Sequence, residues 1–569
     1  MKRRIINHNL KIHDENKIPI DTYPFMQMKR NSYLSLNGSW SCYLANSNSL
    51  SNKETIVNVP SSLKGPLSNF NLEINSNSVI VYQKEFLVEE NFIKDISNLV
   101  ILGIDSEYDI YLNDVFHGHY VNLSTPRKIL LTSLKVGLNK IRIVVSDHNL
   151  KSIPHGKQSL KPKGMFYTSV EGIYFPIFIE SLKKNHVRSL KIDSNLNHVT
   201  LHVDSPIEYQ ITIKENDKIV YQSLSNEKIN IIAINHPHLW NFNDPFLYTL
   251  IIESEDDYIE SYFGMRTIHI DKKTNYIYLN NKRIFINGLL DQGYYLDGIL
   301  TPKSYSNYLY DILKIKELGF NAIRKHIKIE CDYFYYLCDK LGILVIQDIV
   351  NNGKYHFFKE TLMPTIFPFY QRIAKESIRS KEEKYYFLKH TRNTMNYLYN
   401  HPSIIMYTIF NEGWGQFKSD HVYRLVKKYD STRIIDTTSG WFRKNNSDLL
   451  SLHIYFRDIN KIIKKQSKVA FISEFGGYVL KIKDHLFNLN NSYGYKNNSS
   501  QAQFETNLYK LYHDQILKNI DLLSGAIYTQ LSDVEDELNG LLTYDRKVCK
   551  VSDENLIRLL KEISNYPNN

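Results

Sequence analysis

Short runs in which apolar and polar residues alternate fill the first half of the chain. "VYQKEFLV", "EYDIYLND", "NKIRIVVSD" and "GIYFPIFIE" recur between turn residues from Ser32 to Leu182. A period of two puts successive side chains on opposite faces of a strand, so regularly spaced runs of this kind predict an all-β sandwich. A second, smaller set covers roughly Val187 to Ile270: "VTLHVD", "EYQITIKEN", "KINIIAI", "FLYTLIIES" and "SYFGMRTIHI". That length of short strands suits an immunoglobulin-like sandwich. After "DKKTNYIYLNNKRIF" the pattern changes, and apolar runs alternate with amphipathic helical stretches, the mark of βα units and a parallel sheet.

Eight such runs can be counted: "RIFINGLL", "FNAIRKH", "ILVIQDI", "IIMYTIF", "IIDTTSG", "LLSLHIY", "VAFISEF" and "GAIYTQLS". Eight strands predict a closed (β/α)8 barrel. The intervening "SYSNYLYDILKIKELG" and "DYFYYLCDKLG" both end in Gly, the residue expected just past a helix C-terminus. The connection from Asn351 to Tyr399 is longer than a barrel needs and is expected to carry extra helices over the barrel mouth. The expected organisation is an extension over 1–31, a β-sandwich over 32–182, an immunoglobulin-like sandwich over 183–271 and the barrel over 272–569.

Composition narrows the function classes. A hydrophobic content of 43% and a charged content of 23% are those of a folded domain set rather than a disordered chain. The net charge of +10 is a mild excess at this length, and Lys and Arg are scattered rather than gathered into a basic stripe, so nucleic acid is not an expected partner. No run of about 18 apolar residues is present, so no membrane span is expected. The start, "MKRRIINHNLKIHDENK", lacks the apolar run of about 7–15 residues that a secretory signal needs. Cys42, Cys331, Cys338 and Cys549 have neither zinc nor disulfide spacing, and a reducing cytoplasm is the expected location.

The chemistry concentrates at the ends of the predicted barrel strands, where reactive side chains of such barrels sit. In order these ends carry Asp291, then Arg324 and His326, Asp348, Asn411 and Glu412, Ser439 and Trp441, His453 and Tyr455, Glu474, and Gln530 with Asp533. Glu412 in "TIFNEGWG" and Glu474 in "FISEFGGY" each terminate an apolar strand. On strands 4 and 7 they would face each other across the mouth. A facing carboxylate pair is what retaining glycoside hydrolysis needs, one protonating the leaving oxygen and the other attacking the anomeric carbon. The alternative is that each Glu caps its strand and pairs with Arg324 or a lysine.

"NHPSIIMYTIFNEGWG" resembles the acid/base motif of glycoside hydrolase family 2, and "VAFISEFGGY" resembles its nucleophile motif. "LNGSW", "VNVPSS", "VYQKEF", "GIYFPIFIE", "HLWNFNDPFLYTL", "YFGMRTIHI", "ELGFNAIRKH" and "DKLGILVIQD" match the family's motifs in order. The resemblance implies a sugar-binding-type jelly roll for the first sandwich and a carbohydrate substrate. It implies Glu412 as general acid/base, Glu474 as nucleophile, Asn411 on the sugar 2-hydroxyl and Tyr455 as donor to the nucleophile. Asp291, Arg324, His326, Trp414, Trp441 and Gln530 are the further candidate substrate contacts.

Three departures bear on specificity. The family's commonest strand-2 pattern is Arg-x-Ser-His, whereas this chain has Arg324-Lys325-His326, so His326 stands either as a sugar ligand, as a core-facing His or as an ion-pair partner of Asp348. The Asn-x-Lys motif by which β-glucuronidases bind the uronate is missing, since the corresponding place reads "DELNGLLTYDRK"; Asn352-Gly353-Lys354 fits the letters but follows strand 3. "QDIVNNGKYHF" lacks the Glu-x-His metal pair of the large β-galactosidases, so neither a required metal nor another cofactor is expected. The sequence thus favours a retaining exo-β-glycosidase acting on β-galactosides. A β-mannosidase or β-glucuronidase-like enzyme, or an inactive carbohydrate-binding protein, is the alternative, and self-association is left open.

Overall fold

The computed structural model describes residues 4–11, 18–46, 49–71, 74, 78–146, 152–366, 376–463 and 467–567. Parts of the expected N-terminal extension (12–17) and of the long connection after the third barrel strand (367–375) lie outside the described residues.

The first sandwich packs a six-stranded antiparallel sheet, built on Gly38–Asn46, Val79–Val88 and Gly137–Ser146, against a four-stranded sheet centred on Ile96–Ile101 and Ile177–Leu182. Inward-facing residues of the alternating runs fill the space between: Ile80, Tyr82, Ile110, Ile143, Ile177 and Ile179 form one buried cluster around Trp40. The second sandwich pairs a three-stranded sheet (Ser189–Ser194, His198–Asp204, Ile229–Ala233) with a four-stranded one (Lys218–Ser225, Tyr209–Glu215, Tyr248–Glu253, Tyr258–Phe263). Strict alternation along His198–Asp204 places Val199, Leu201 and Val203 in that core.

All eight expected barrel strands form: β1 (Ile286–Asp291), β2 (Ala322–Lys325), β3 (Leu344–Asp348), β4 (Ile404–Asn411), β5 (Ile434–Ser439), β6 (Leu449–Ile454), β7 (Val469–Gly476) and β8 (Gly525–Thr529). They are hydrogen-bonded in the parallel order 5-4-3-2-1-8-7-6. The seam between β5 and β6 is bridged by the Asp448 backbone N–H donating to Ile435 O (3.0 Å) and by the Asp448 side chain accepting from Ile435 N–H (2.8 Å). Burial on both faces explains why these strands read as continuous apolar runs rather than alternating ones. Helices α1 (Tyr305–Glu317) and α2 (Asp332–Leu341) stop where expected, with Gly319 and Gly342 beyond them at positive φ. The long connection after β3 carries two short helical turns over Phe358–Leu362 and Met363–Ile366 and a helix α3 (Lys381–Leu398), opened by a Ser380/Glu383 capping box.

Asp339 is one of several residues that tie the second sandwich to the barrel. Asp339, at the end of α2, accepts from Tyr262 OH (2.7 Å) and Ser403 N–H (2.8 Å) and pairs with His401 Nδ1 (2.6 Å), while its backbone carbonyl accepts from Trp240 Nε1 (2.8 Å). His401 Nε2 also stands 3.4 Å from Asp332. Burial alone would lower the His401 pKa, but the two aspartates outweigh it and raise it to about 9.

A group raised in the folded state stabilises fully below its unfolded pKa of about 6.5, and that contribution is lost as pH rises through the folded value. Replacing His401 by Gln should therefore cost about 3–5 kcal/mol at pH 6, the usual scale for breaking a buried pair. The cost should shrink as pH rises through about 9. Denaturant unfolding of both proteins across that range checks this; an equal penalty at pH 6 and at pH 10 would contradict it.

Candidate active site

Strand β4 ends in an unusual backbone turn. Glu412 has φ +52°, a left-handed conformation that non-glycine residues adopt at a cost of about 1 kcal/mol or more, and its N–H is held by Ser439 O of β5 (3.0 Å). Gly413 (φ +76°) and Gly415 (φ +66°) continue the turn where a side chain would be strained. Between them Trp414 is anchored by Nε1 donating to Gly353 O (3.0 Å), with Phe166 and Tyr355 edge-on against it. The turn thus delivers a carboxylate and an indole to the same cavity wall.

Under this surface lies Arg324 of β2, fully buried, with every N–H donated. Nε goes to Asp348 Oδ1 (3.0 Å), Nη1 to Ser473 O (2.9 Å) and Glu474 Oε1 (3.1 Å), and Nη2 to Asn411 Oδ1 (3.0 Å) and Ser439 Oγ (3.0 Å). One guanidinium therefore sets Asn411 and Glu474 relative to each other. Tyr455 OH donates to the other oxygen of Glu474, and its ring stacks on Tyr495 (4.0 Å between centroids, 20° between planes).

His453, at the end of β6, joins the two glutamates. Its Nδ1 is 2.7 Å from Glu412 Oε1 and 3.5 Å from Glu474 Oε2, and its Nε2 shares a 2.7 Å hydrogen bond with Ser439 Oγ. The facing oxygens of Glu412 and Glu474 and the Nδ1 of His453 all lie within 4.8 Å of one another. These three atoms are also the set among the described residues with spacing suited to a metal ion, although at 2.7 Å the His453–Glu412 contact is already a hydrogen bond.

The electrostatics of the two carboxylates diverge. Burial pushes Glu474 up, but His453 and Arg324 lead the charges that more than reverse that and hold it well below the usual carboxylate range. For Glu412 burial dominates: the hydrogen bond and charge of His453 offset only part of it, the nearby Glu474 adds to the rise, and the carboxyl stays above its ordinary value. Burial and the charge of Lys157 push His326 down to about 4 against the pull of Asp348, whose Oδ2 is 2.6 Å from His326 Nδ1. His326 is thus neutral near pH 7, with Nδ1–H on Asp348 and Nε2 left as an acceptor.

The sequence candidates divide. Asn411, Glu412, Trp414, Tyr455, Glu474 and His326 line one cavity, together with Lys157, Phe166, Gln292, Tyr355, Tyr495 and Glu537. Arg324 lies behind the lining, so its contacts are with the carboxylates and Asn411 rather than with the cavity. Asp291, expected as a sugar contact, pairs instead with Lys325 Nζ and accepts from Gly293 N–H (2.8 Å), because a buried lysine at the next strand claims it. Gln530 is also spent internally, accepting from Gln292 (2.9 Å) and donating to Asn539 (2.8 Å), and Gln292 lines the cavity in its place. Trp441 packs edge-on against His453 (5.4 Å) and donates to Glu360 O (2.8 Å), outside the lining.

The sequence named His453 beside Tyr455 at the end of strand 6 but gave it no role in the site. Sequence reasoning missed Lys157, Tyr495 and Glu537, which arrive from loops. The segment between strands Gly137–Ser146 and Ile177–Leu182 of the first sandwich reaches the barrel mouth, where His155 N–H (3.1 Å) and Gly156 N–H (3.0 Å) donate to Asn351 O and Thr168 N–H to Glu535 (2.8 Å). Nothing in the letters of that segment announces the docking.

Two domain families match the chain, "Glycosyl hydrolases family 2, TIM barrel domain" over residues 269–478 and "Glycosyl hydrolases family 2" over residues 178–266. A β-galactosidase from Thermoanaerobacterium thermosulfurigenes is 24% identical over 447 residues, covering 71% of this chain and 58% of that protein. A β-glucuronidase from Streptococcus agalactiae is 23% identical over 460 residues, covering 72% of this chain and 71% of that protein. This chain spans 36% of the β-galactosidase of Staphylococcus xylosus and 34% of that of Priestia megaterium. The solved β-D-glucuronidase of Dictyoglomus thermophilum superposes with a TM-score of 0.75 at 18% identity, covering 96% of this chain and 98% of that one, a likeness of fold. With the order of its motifs, its two sandwiches and barrel, and both domain matches in agreement, the chain belongs to glycoside hydrolase family 2.

Proposed function

We propose that this protein is a retaining exo-β-glycosidase that removes one terminal sugar by double displacement. The observation that carries the reading is the approach of Glu412 and Glu474, whose facing oxygens lie within 4.8 Å. Retaining enzymes hold their carboxyls about 5–5.5 Å apart, whereas inverting ones leave about 6.5–9.5 Å for a water. The opposite pKa shifts suit opposite roles: Glu474, shifted down, attacks the anomeric carbon, and Glu412, shifted up, gives its proton to the departing oxygen. Once the aglycone has left, Glu412 takes a proton from water, which hydrolyses the glycosyl ester at Glu474.

The surrounding groups fit that course. Asn411 Oδ1 is fixed by Arg324, so its amide N–H remains to donate to the sugar 2-hydroxyl as positive charge develops on the ring. Tyr455 OH orients Glu474, and the neutral Nε2 of His326 offers an acceptor to another hydroxyl. Trp414 and Phe166 supply apolar walls for the sugar face.

A β-galactoside is the substrate we favour. The relatives that support it are β-galactosidases at 21–26% identity, and the lining sets one carboxylate outside the Glu412–Glu474 pair, Glu537, beside the single lysine Lys157.

A panel of nitrophenyl β-glycosides should show release from the β-galactoside above the glucoside, mannoside, glucuronide and arabinoside. Glu474→Gln should lower kcat by at least about 10³-fold, and proton NMR of the early product should show the β-anomer first. Release of the α-anomer, or an active Glu474→Gln, would refute double displacement. Glu412→Gln should impair an alkyl galactoside by about 10²–10⁴-fold but a dinitrophenyl galactoside far less, because the better leaving group needs little protonation. Equal losses on both substrates would remove Glu412 from the acid role.

A further inference from the structure

The loop after β8 carries four acids in five residues, Asp533, Glu535, Asp536 and Glu537. Three of them hold a cation: Asp533 pairs with Lys550 (2.6 Å), and Glu535 (2.9 Å) and Asp536 (3.0 Å) both pair with Arg4. Glu537 has no cation in ion-pair contact among the described residues. Its carboxylate accepts from two neutral donors, Tyr167 OH and Asn539 Nδ2 (3.0 Å), although it is only 3% exposed. It is also the one acid of this loop that lines the cavity shared by Glu412 and Glu474.

A buried carboxylate without a counter-ion is costly unless its lone pairs are met. A carboxylate can accept about four hydrogen bonds, and the protein supplies Glu537 with two. Its remaining acceptor capacity is available to a donor in the cavity that Glu537 lines. Lys157 lines the same cavity with no carboxylate in ion-pair contact among the described residues, its Nζ 5.9 Å from the centre of the Tyr167 ring that holds Glu537. An acceptor and a donor thus flank the sugar space from two different domains, an arrangement suited to hydroxyl groups, which donate and accept at once.

We infer that Glu537 is a specificity-determining residue of this cavity, accepting from hydroxyls of the terminal sugar and refusing a sugar that carries a carboxylate. The inference rests on the reading of the cavity as a glycosidase site. A sugar carboxylate cannot donate to Glu537 and meets like charge there, while the single ammonium of Lys157 is set against the carboxylates of Glu474 and Glu537. Tyr167 and Asn539 keep Glu537 in place from the sandwich side and the loop side, so the sugar-reading surface is shared between domains.

D-galactose and D-galacturonic acid differ only at C6 and serve as the probe pair. Calorimetric titration of the full-length wild-type protein and of Glu537→Gln should be run beside turnover of the matching nitrophenyl glycosides. The wild type should favour galactose and the galactoside by at least about tenfold, and Glu537→Gln should narrow both ratios by about tenfold. An unchanged ratio in a Glu537→Gln protein with wild-type circular dichroism would overturn the inference while leaving the glycosidase reading intact. Wild-type preference for the acid would overturn it without need of any variant. If the wild type binds neither sugar and cleaves no β-glycoside, the glycosidase reading itself falls and takes the inference with it.

Discussion

A guanidinium at the centre of a barrel mouth, with no solvent to meet it, must find a protein acceptor for each of its five N–H groups, and those that Arg324 finds belong to four other strands: Asp348 on β3, Asn411 on β4, Ser439 on β5, and Ser473 and Glu474 on β7. The geometry of the cavity follows from satisfying that one residue. Because its donors form a rigid planar fork, Asn411 and Glu474 are held where the fork directs them rather than where a flexible ammonium would allow. The same charge helps keep Glu474 ionised in a buried setting that would otherwise protonate it. Glu412 meets His453, which bridges it to Glu474.

Environment, rather than residue type, sets the two carboxyls apart, with Glu474 shifted down and Glu412 up. The strands supply Arg324, Asn411, Glu474 and His453, and loops supply the rest of the wall. Lys157 and Phe166 come from the first sandwich, Tyr495 from the segment after β7, and Glu537 from the loop after β8. The sandwich is therefore part of the cavity wall and not only an appendage, in keeping with the contacts of His155, Gly156 and Tyr167 with barrel loops.

The fold was legible because it rests on periodicity. Alternation in "VTLHVD" and continuous apolar runs such as "IIMYTIF" are direct consequences of half-buried and fully buried strands, and each formed where expected. Glu412 and Glu474 were legible for a related reason, since a carboxylate at the end of an apolar strand has no cheap structural explanation. The two readings first weighed for Glu474, pairing with Arg324 or facing its partner across the mouth, are both realised, because a carboxylate has two oxygens to offer. Asp291 and Gln530 occupy equally suggestive strand ends, yet Lys325 and Asn539 take them, and such pairings depend on neighbours distant in sequence. Lys157 and Glu537 could not be read at all, because their position depends on how a loop of one domain lies on another.

The barrel shifts its two facing carboxyls in opposite directions, Glu474 down and Glu412 up. The most direct test is a carbon-13 NMR titration of the glutamate side-chain carboxyls, with the two signals assigned from Glu412→Gln and Glu474→Gln. The account predicts that Glu474 titrates well below the ordinary glutamate value of about 4.3 and Glu412 above it. A Glu474 signal that titrates at or above that of Glu412 would contradict it.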